Sequence, residues 1–127
     1  EVNNLFYIIT SKDENLVDAE VGSTPYISSS EVNNGLHSFI DVEPSQTKDT
    51  LTLARIGSVG ATFYHGYEYA VSSDNVRVLK PKFTLNKFIG IFLATLIEKE
   101  RYRYAYGRTF SMTRMKQTKL KLPVTST

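Results

Sequence analysis

The chain of 127 residues contains no cysteine. That excludes disulfides, thiolate metal sites and cysteine nucleophiles, and it suits a reducing compartment. Histidine is scarce: His37 and His65 are the only two, and neither sits in an HExxH spacing, so no zinc ligand set is present. His65, beside Gly66, reads as a turn residue. No apolar run approaches the roughly 20 residues of a membrane span, and no basic-then-apolar leader is present. The expected location is the cytoplasm, without membrane contact. The GxxxxGKS/T phosphate loop is missing, and Gly57-x-x-Gly60 with no helix after it reads as a strand-to-strand turn. There is no serine nucleophile elbow and no NPPY-like signature of an amino-methyltransferase. Asp41 and Glu43 form an ordinary carboxylate pair of the kind found on surfaces. Without a nucleophile, a metal cluster or a cofactor loop, the chain reads as non-catalytic, with no cofactor.

Acid is absent from Arg101 onward, where Arg101, Arg103, Arg108, Arg114, Lys116, Lys119 and Lys121 follow one another. The first 50 residues are the reverse, with two lysines against nine acids, a formal −7. The whole chain carries +2, so the remainder carries +9. A one-sided basic surface is the electrostatic footprint of a polyanion binder. The other reading of the same charges is a solvated helix end and a basic linker.

With 41% hydrophobic residues, a chain of this length suits one domain with a real core. Residues 84–108 organise it. The stretch 88–97 carries no charge and is about 10 residues long, which reads as a buried helix. Thr84 can cap it, and Leu85, Phe88, Ile89, Phe92, Leu96 and Ile97 recur at helical spacing. Ile91, Leu93 and Ala94 widen the stripe until most of the circumference is apolar. Beyond 98–100, read as a solvated turn, Arg101, Arg103 and Arg108 interleave with Tyr102, Tyr104 and Tyr106, and Gly107 can end the helix. Such arginines can pair with guanine edges or phosphates, and tyrosines can stack on exposed bases. Alternatively, Tyr102 and Tyr106 pack on the core while the arginines stay solvated.

Upstream, strands are expected at 5–10, 25–27, 36–42, 50–56, 61–64, 67–71 and 76–79. A loop is expected over 11–22, and Asn33-Asn34-Gly35 is a tight-turn signal, because Asn and Gly tolerate the left-handed region. Ser111 can cap a short helix over 112–117, and 120–123 is a last extended piece. The fold class is therefore α+β: several short, mostly antiparallel strands packed around one long buried C-terminal helix. The chain opens on Glu1 and closes on a polar tail, which is expected of one domain excised from a longer chain.

The ordered landmarks are Leu5-Phe6, then Gly22-x-x-Pro25-Tyr26-Ile27-Ser28, then Asn33-Asn34-Gly35. They continue with Arg55-Ile56-Gly57-Ser58-Val59-Gly60, Phe63-Tyr64 and Asp74-Asn75-Val76-x-Val78-Leu79. The last are Phe92 to Ile97, Tyr104-x-Tyr106-Gly107-Arg108 and Lys119-Leu120-x-Leu122-Pro123. Across nearly the whole chain this order resembles the target-recognition domain of the DNA-specificity (S) subunit of type I restriction–modification systems. It is similar, too, to specificity domains fused to adenine methyltransferase–endonucleases.

The resemblance implies a module that reads one half of a bipartite duplex-DNA site. Its partners would be methyltransferase and, in full complexes, translocase and nuclease subunits or domains. It also implies that residues 118–127 begin the linker to a spacer helix. On that reading phosphate contacts fall to Lys80, Lys82, Arg101, Arg103 and Lys116. Base readout falls to residues on loops and strand ends, where a scaffold tolerates variation: Ser28, Ser29, Ser30, Asn33, Arg55, Ser58, Arg77 and Arg108. Arg108 can equally cap the long helix through its carbonyls. Gly35, Gly57 and Gly60 read as backbone requirements. The rival readings are a domain of a fused adenine-N6 methyltransferase/endonuclease and a protein-interaction module docking through its tyrosine-rich end.

Overall fold

A four-stranded sheet lies between a layer of helices and a three-stranded sheet in the computed structural model, which describes residues 1–10, 19–56, 58–72, 75–104 and 111–120. The elements in chain order are α1 (Val2–Leu5), β1 (Phe6–Ile9), β2 (Val21–Ile27), β3 (Leu36–Ile40), β4 (Thr50–Ala54), β5 (Thr62–His65), β6 (Ala70–Val71) and β7 (Val76–Pro81). They are followed by α2 (Lys87–Lys99), α3 (Arg101–Tyr104) and α4 (Met112–Gln117). The larger sheet runs β1-β7-β4-β5, antiparallel throughout. The smaller runs β3-β2-β6, antiparallel between β2 and β3 and parallel between β2 and β6.

β4 shows why the sequence stacks this way. Its alternation sends successive side chains to opposite faces. Leu51 and Leu53 join Phe6, Leu79, Leu93, Ala94, Ile97, Tyr104 and Met115 under the helices. Thr50 and Thr52 face the smaller sheet, where they bond Tyr69 and His65. A second apolar cluster, Ile27, Tyr69, Val71, Val76 and Val78, joins the two sheets.

The expected α+β fold stands, with changes inside it. Leu5, expected to open the first strand, instead closes the short helix α1, and that strand is Phe6–Ile9. Of 67–71 only Ala70–Val71 is strand, with Tyr69 in an isolated bridge to Gln46. The 36–42 strand stops at Ile40 and the 50–56 strand at Ala54. The Asn33-Asn34-Gly35 turn is present, with φ of +52°, +56° and +79°. Ser111 caps α4 as read, its hydroxyl accepting from Arg114 N–H at 3.2 Å. Tyr106, Gly107 and Arg108, residues 11–18 and the extended piece beyond Leu120 lie outside the described residues.

The long helix anchors the core through one part of the expected stripe, Leu85, Leu93, Ala94 and Ile97, and not through Phe88 and Phe92. α2 is capped by Asn86, whose Oδ1 accepts from Ile89 N–H at 2.9 Å, and not by Thr84. Its inner face is Gly90, Leu93, Ala94 and Ile97. Phe88 is 81% exposed and Phe92 43%, with Ile89 and Ile91 also outward. The reason is Gly90. A Cβ there would lie 2.2 Å from Tyr64 Cδ1 and 2.6 Å from Cε1, so glycine lets the helix lie flat on β5. That contact fixes the rotation about the helix axis, and Phe88 and Phe92 point away. The helix also ends sooner than expected: Glu100 breaks it, and α3 carries Arg101 to Tyr104. Tyr104, not Tyr102, is the buried tyrosine of this segment, its hydroxyl donating to Ile97 C=O at 2.8 Å.

Candidate nucleic-acid interface

The segments that leave β2, β4 and β6 come together at one end of the two sheets. β2 and β6 are parallel neighbours, so both exit at that end, and Ser72 N–H bonds Ile27 C=O at 2.9 Å. Arg55, just past β4, donates its N–H to Asn75 C=O at 2.9 Å, where β7 begins. Gly35 closes the first segment on itself through Ser28 N–H to Gly35 C=O, 2.9 Å. Ser28, Arg55, Ser58 and Arg77 therefore lie at this loop end, and Ser29, Ser30 and Asn33 belong to the loop that leaves it and runs along β5 until Asn34 meets Tyr64 and His65. Asn33 is exposed and the others are half-buried. Arg77 donates to Val76 C=O at 3.3 Å, and Ser58 C=O accepts Ala61 N–H at 3.0 Å.

Arg101 reaches the same end from α3. Its Nη2 donates to Val59 C=O at 2.5 Å and to Glu31 Oε1 at 3.1 Å, and its Nη1 lies 3.7 Å from Glu98 Oε1. Gly60 makes this approach possible. It has φ +89°, and a Cβ there would sit 2.7 Å from Arg101 Cβ. Arg103 is exposed, pairs with Glu100 at 2.5 Å and lies over the Tyr102 ring at 5.0 Å.

The lysines are elsewhere. Along β7, Val76 pairs with Ala54 at the loop end, while Lys80 pairs with Tyr7 of β1. From Arg55 to Lys80 is five strand steps, roughly 17 Å at 3.3 Å per residue. Lys82 donates to Asn3 C=O at 2.8 Å and sits over the Tyr7 ring at 4.8 Å. Lys116 is exposed on α4, which bonds α1 through Val2 N–H to Thr118 C=O, 2.9 Å. The proposed phosphate set is thus split between two ends. Arg108 lies outside the described residues.

A polar chain under the first loop escaped the sequence reading. His65 is no turn residue: it ends β5, fully buried. Its Nε2 is 2.7 Å from Thr52 Oγ1, and its Nδ1 is 2.9 Å from Tyr67 OH and 3.3 Å from Asn34 Nδ2. Both ring nitrogens are thus partnered. Burial lowers the His65 pKa to about 3, so the ring is neutral. Asn34 also donates to Tyr64 C=O at 2.9 Å and Tyr67 OH at 3.2 Å, which ties the left-handed turn to the end of β5. Nearby, burial first and then the Asp49 hydrogen bond push the Tyr64 hydroxyl up to about 12. Asn34, Tyr64 and Tyr67 line a groove of about 660 Å³ with Lys87, Ile91 and Thr95.

Loops gathered at one end of a rigid sheet pair are where binding and catalytic residues concentrate. Residues 3–127 match the type I restriction modification DNA specificity domain, and the chain belongs to that family. It is similar to the specificity subunit S.BcgI of a type II restriction enzyme from Heyndrickxia coagulans, 34% identical over 125 residues, covering 97% of this chain and 36% of that protein. Its fold is similar to the crystal structure of a type I restriction–modification S subunit from M. genitalium, with a TM-score of 0.64 and 20% identity over 91% of this chain and 31% of that one. The chain thus spans about a third of each relative.

Proposed function

We propose that this domain reads one half of a bipartite duplex-DNA site for a restriction–modification enzyme and leaves catalysis to other subunits or domains. The observation that carries this is the convergence of the loops after β2, β4 and β6 with Arg55, Arg77 and Arg101 at one end, in a chain of the specificity-domain family. Ser28, Ser29, Ser30, Asn33, Arg55, Ser58 and Arg77 read base edges, and Arg108 belongs to the same proposed set. Lys80, Lys82, Arg103 and Lys116 meet phosphates. No helix among the described residues is long and apolar enough to cross a membrane, and the work is done in the cytoplasm, where the DNA is.

A protein partner has its own support. Phe88, Phe92, Ile89 and Ile91 leave an apolar face on α2, the kind of surface that subunits of an assembly cover. A methyltransferase subunit is the partner we propose.

The test is fluorescence anisotropy of the 127-residue chain with a random duplex pool, followed by selection. Micromolar binding that selects one short sequence, with no methyl transfer from S-adenosylmethionine, is expected. Absence of binding at low salt overturns the reading.

A further inference from the structure

Arg101 has an exposed flank, lies among the loops and carries a charge, which suits a phosphate contact. Its surroundings argue otherwise. Nη2 has two hydrogens, and both are used, one by Val59 C=O and one by Glu31 Oε1. The Glu98 carboxylate is 3.7 Å from Nη1. One cation between two carboxylates presents no net positive charge to an incoming phosphate. What the guanidinium does instead is join segments distant in sequence. Glu31 belongs to the loop after β2 and Val59 to the loop after β4, and Arg101 bonds both from α3. Gly60 gives it room, since a side chain there would strike Arg101 Cβ and Nε. The first loop is pinned again three residues on, where Asn34 bonds Tyr64 C=O and Tyr67 OH. Between and beside these pins stand Ser30 and Asn33.

We propose that Arg101, through Glu31 and Val59, is a positioning residue for sequence discrimination: a brace that fixes the distance between loops 28–35 and 58–61. This rests on the DNA-reading function proposed above. Two loops that read adjacent bases must hold their spacing to a fraction of an ångström, because hydrogen bonds to base edges are short and directional. The planar fork of arginine bridges two acceptors at a fixed separation. Lysine, a point charge on a flexible stem, keeps the charge and loses the span.

Arg101→Lys and Glu31→Ala separate the brace from a phosphate contact, and Glu31 is exposed enough that its variant keeps the fold. The first readout needs no DNA. Hydrogen exchange at Gly60 N–H, bonded to Ala54 C=O, and at Gly35 N–H, bonded to Val32 C=O, is expected to quicken about tenfold in both variants. Unchanged exchange in both overturns the brace. The second readout uses the duplex that the wild-type chain selects from a random pool, and a scrambled duplex of the same composition. Both variants are expected to lower the affinity ratio about tenfold, with binding to the scrambled duplex within twofold and the salt slope unchanged. The double variant is expected to be no worse than either single one, because both break the same contact. Equal loss on both duplexes with a shallower salt slope makes Arg101 a phosphate contact and overturns the proposal. A wild-type chain that selects no sequence overturns the DNA-reading function itself, whatever the exchange rates show.

Discussion

His65 shows what a single side chain decides and why the sequence hid it. Its partners Thr52 and Asn34 lie 13 and 31 residues away, so no local pattern announces a buried, neutral imidazole. The turn at Asn33-Asn34-Gly35 and the Ser111 cap were legible because each is written in adjacent residues. The buried ring makes stability depend on pH with a definite sign. Its folded pKa of about 3 lies below the unfolded 6.5, so the unfolded chain takes up the proton first. The contribution of His65 is complete above pH 6.5 and is lost as pH falls from 6.5 toward 3, at about 1.4 kcal/mol per unit. Between pH 7 and pH 5 this residue alone should remove about 2 kcal/mol. Urea denaturation at the two pH values measures it, and His65→Gln, less stable throughout, should lack that increment. A wild-type chain with the same pH dependence as the variant would place the ring in water.

At the scale of an element, α2 is where the sequence reading was half right. The uncharged stretch and its helical spacing were unambiguous, but with most of the circumference apolar the period could not say which side faces the sheet. Gly90 decides it, through a contact with Tyr64 that lies 26 residues back in the chain. Gly90→Ala should therefore destabilise by about 1–3 kcal/mol through overpacking, although alanine is the better helix former by roughly 1 kcal/mol. Melting curves give the sign. Ile97 is fully buried, and Ile97→Ala should cost about 2–5 kcal/mol. Phe88→Ala, at an 81% exposed position, should cost less than about 0.5 kcal/mol. A large loss from Phe88→Ala and a small one from Ile97→Ala would rotate the helix half a turn and put Phe88 and Phe92 inward.

For the whole molecule, the division of charge was plain from composition, and its arrangement was not. Arg77 and Lys80, close in sequence, are dealt toward two ends by the register of β7, which runs from Val76 beside Ala54 to Lys80 beside Tyr7. On the proposed function, loops read bases at the first end. The second, with Lys80, Lys82 and the α4 lysine Lys116, lies about 17 Å away along the strand. That spacing matches five base pairs at 3.4 Å per step. A duplex lying along the domain would then meet reading loops at one end and lysines on its phosphates about five base pairs further on. Each neutralised phosphate contributes about 0.9 to the slope of log K against log salt. Lys80→Gln with Lys116→Gln should flatten the slope by about 1.8 and weaken selected and scrambled duplexes alike. Arg55→Ala should instead narrow the gap between the two duplexes by about 1–3 kcal/mol, the worth of one base-pair contact, and shift the slope little. A salt series on both duplexes separates these effects. If the double lysine variant keeps the wild-type slope, the duplex meets only the loop end and crosses the sheets rather than following them. The lysines would then be left to a protein surface.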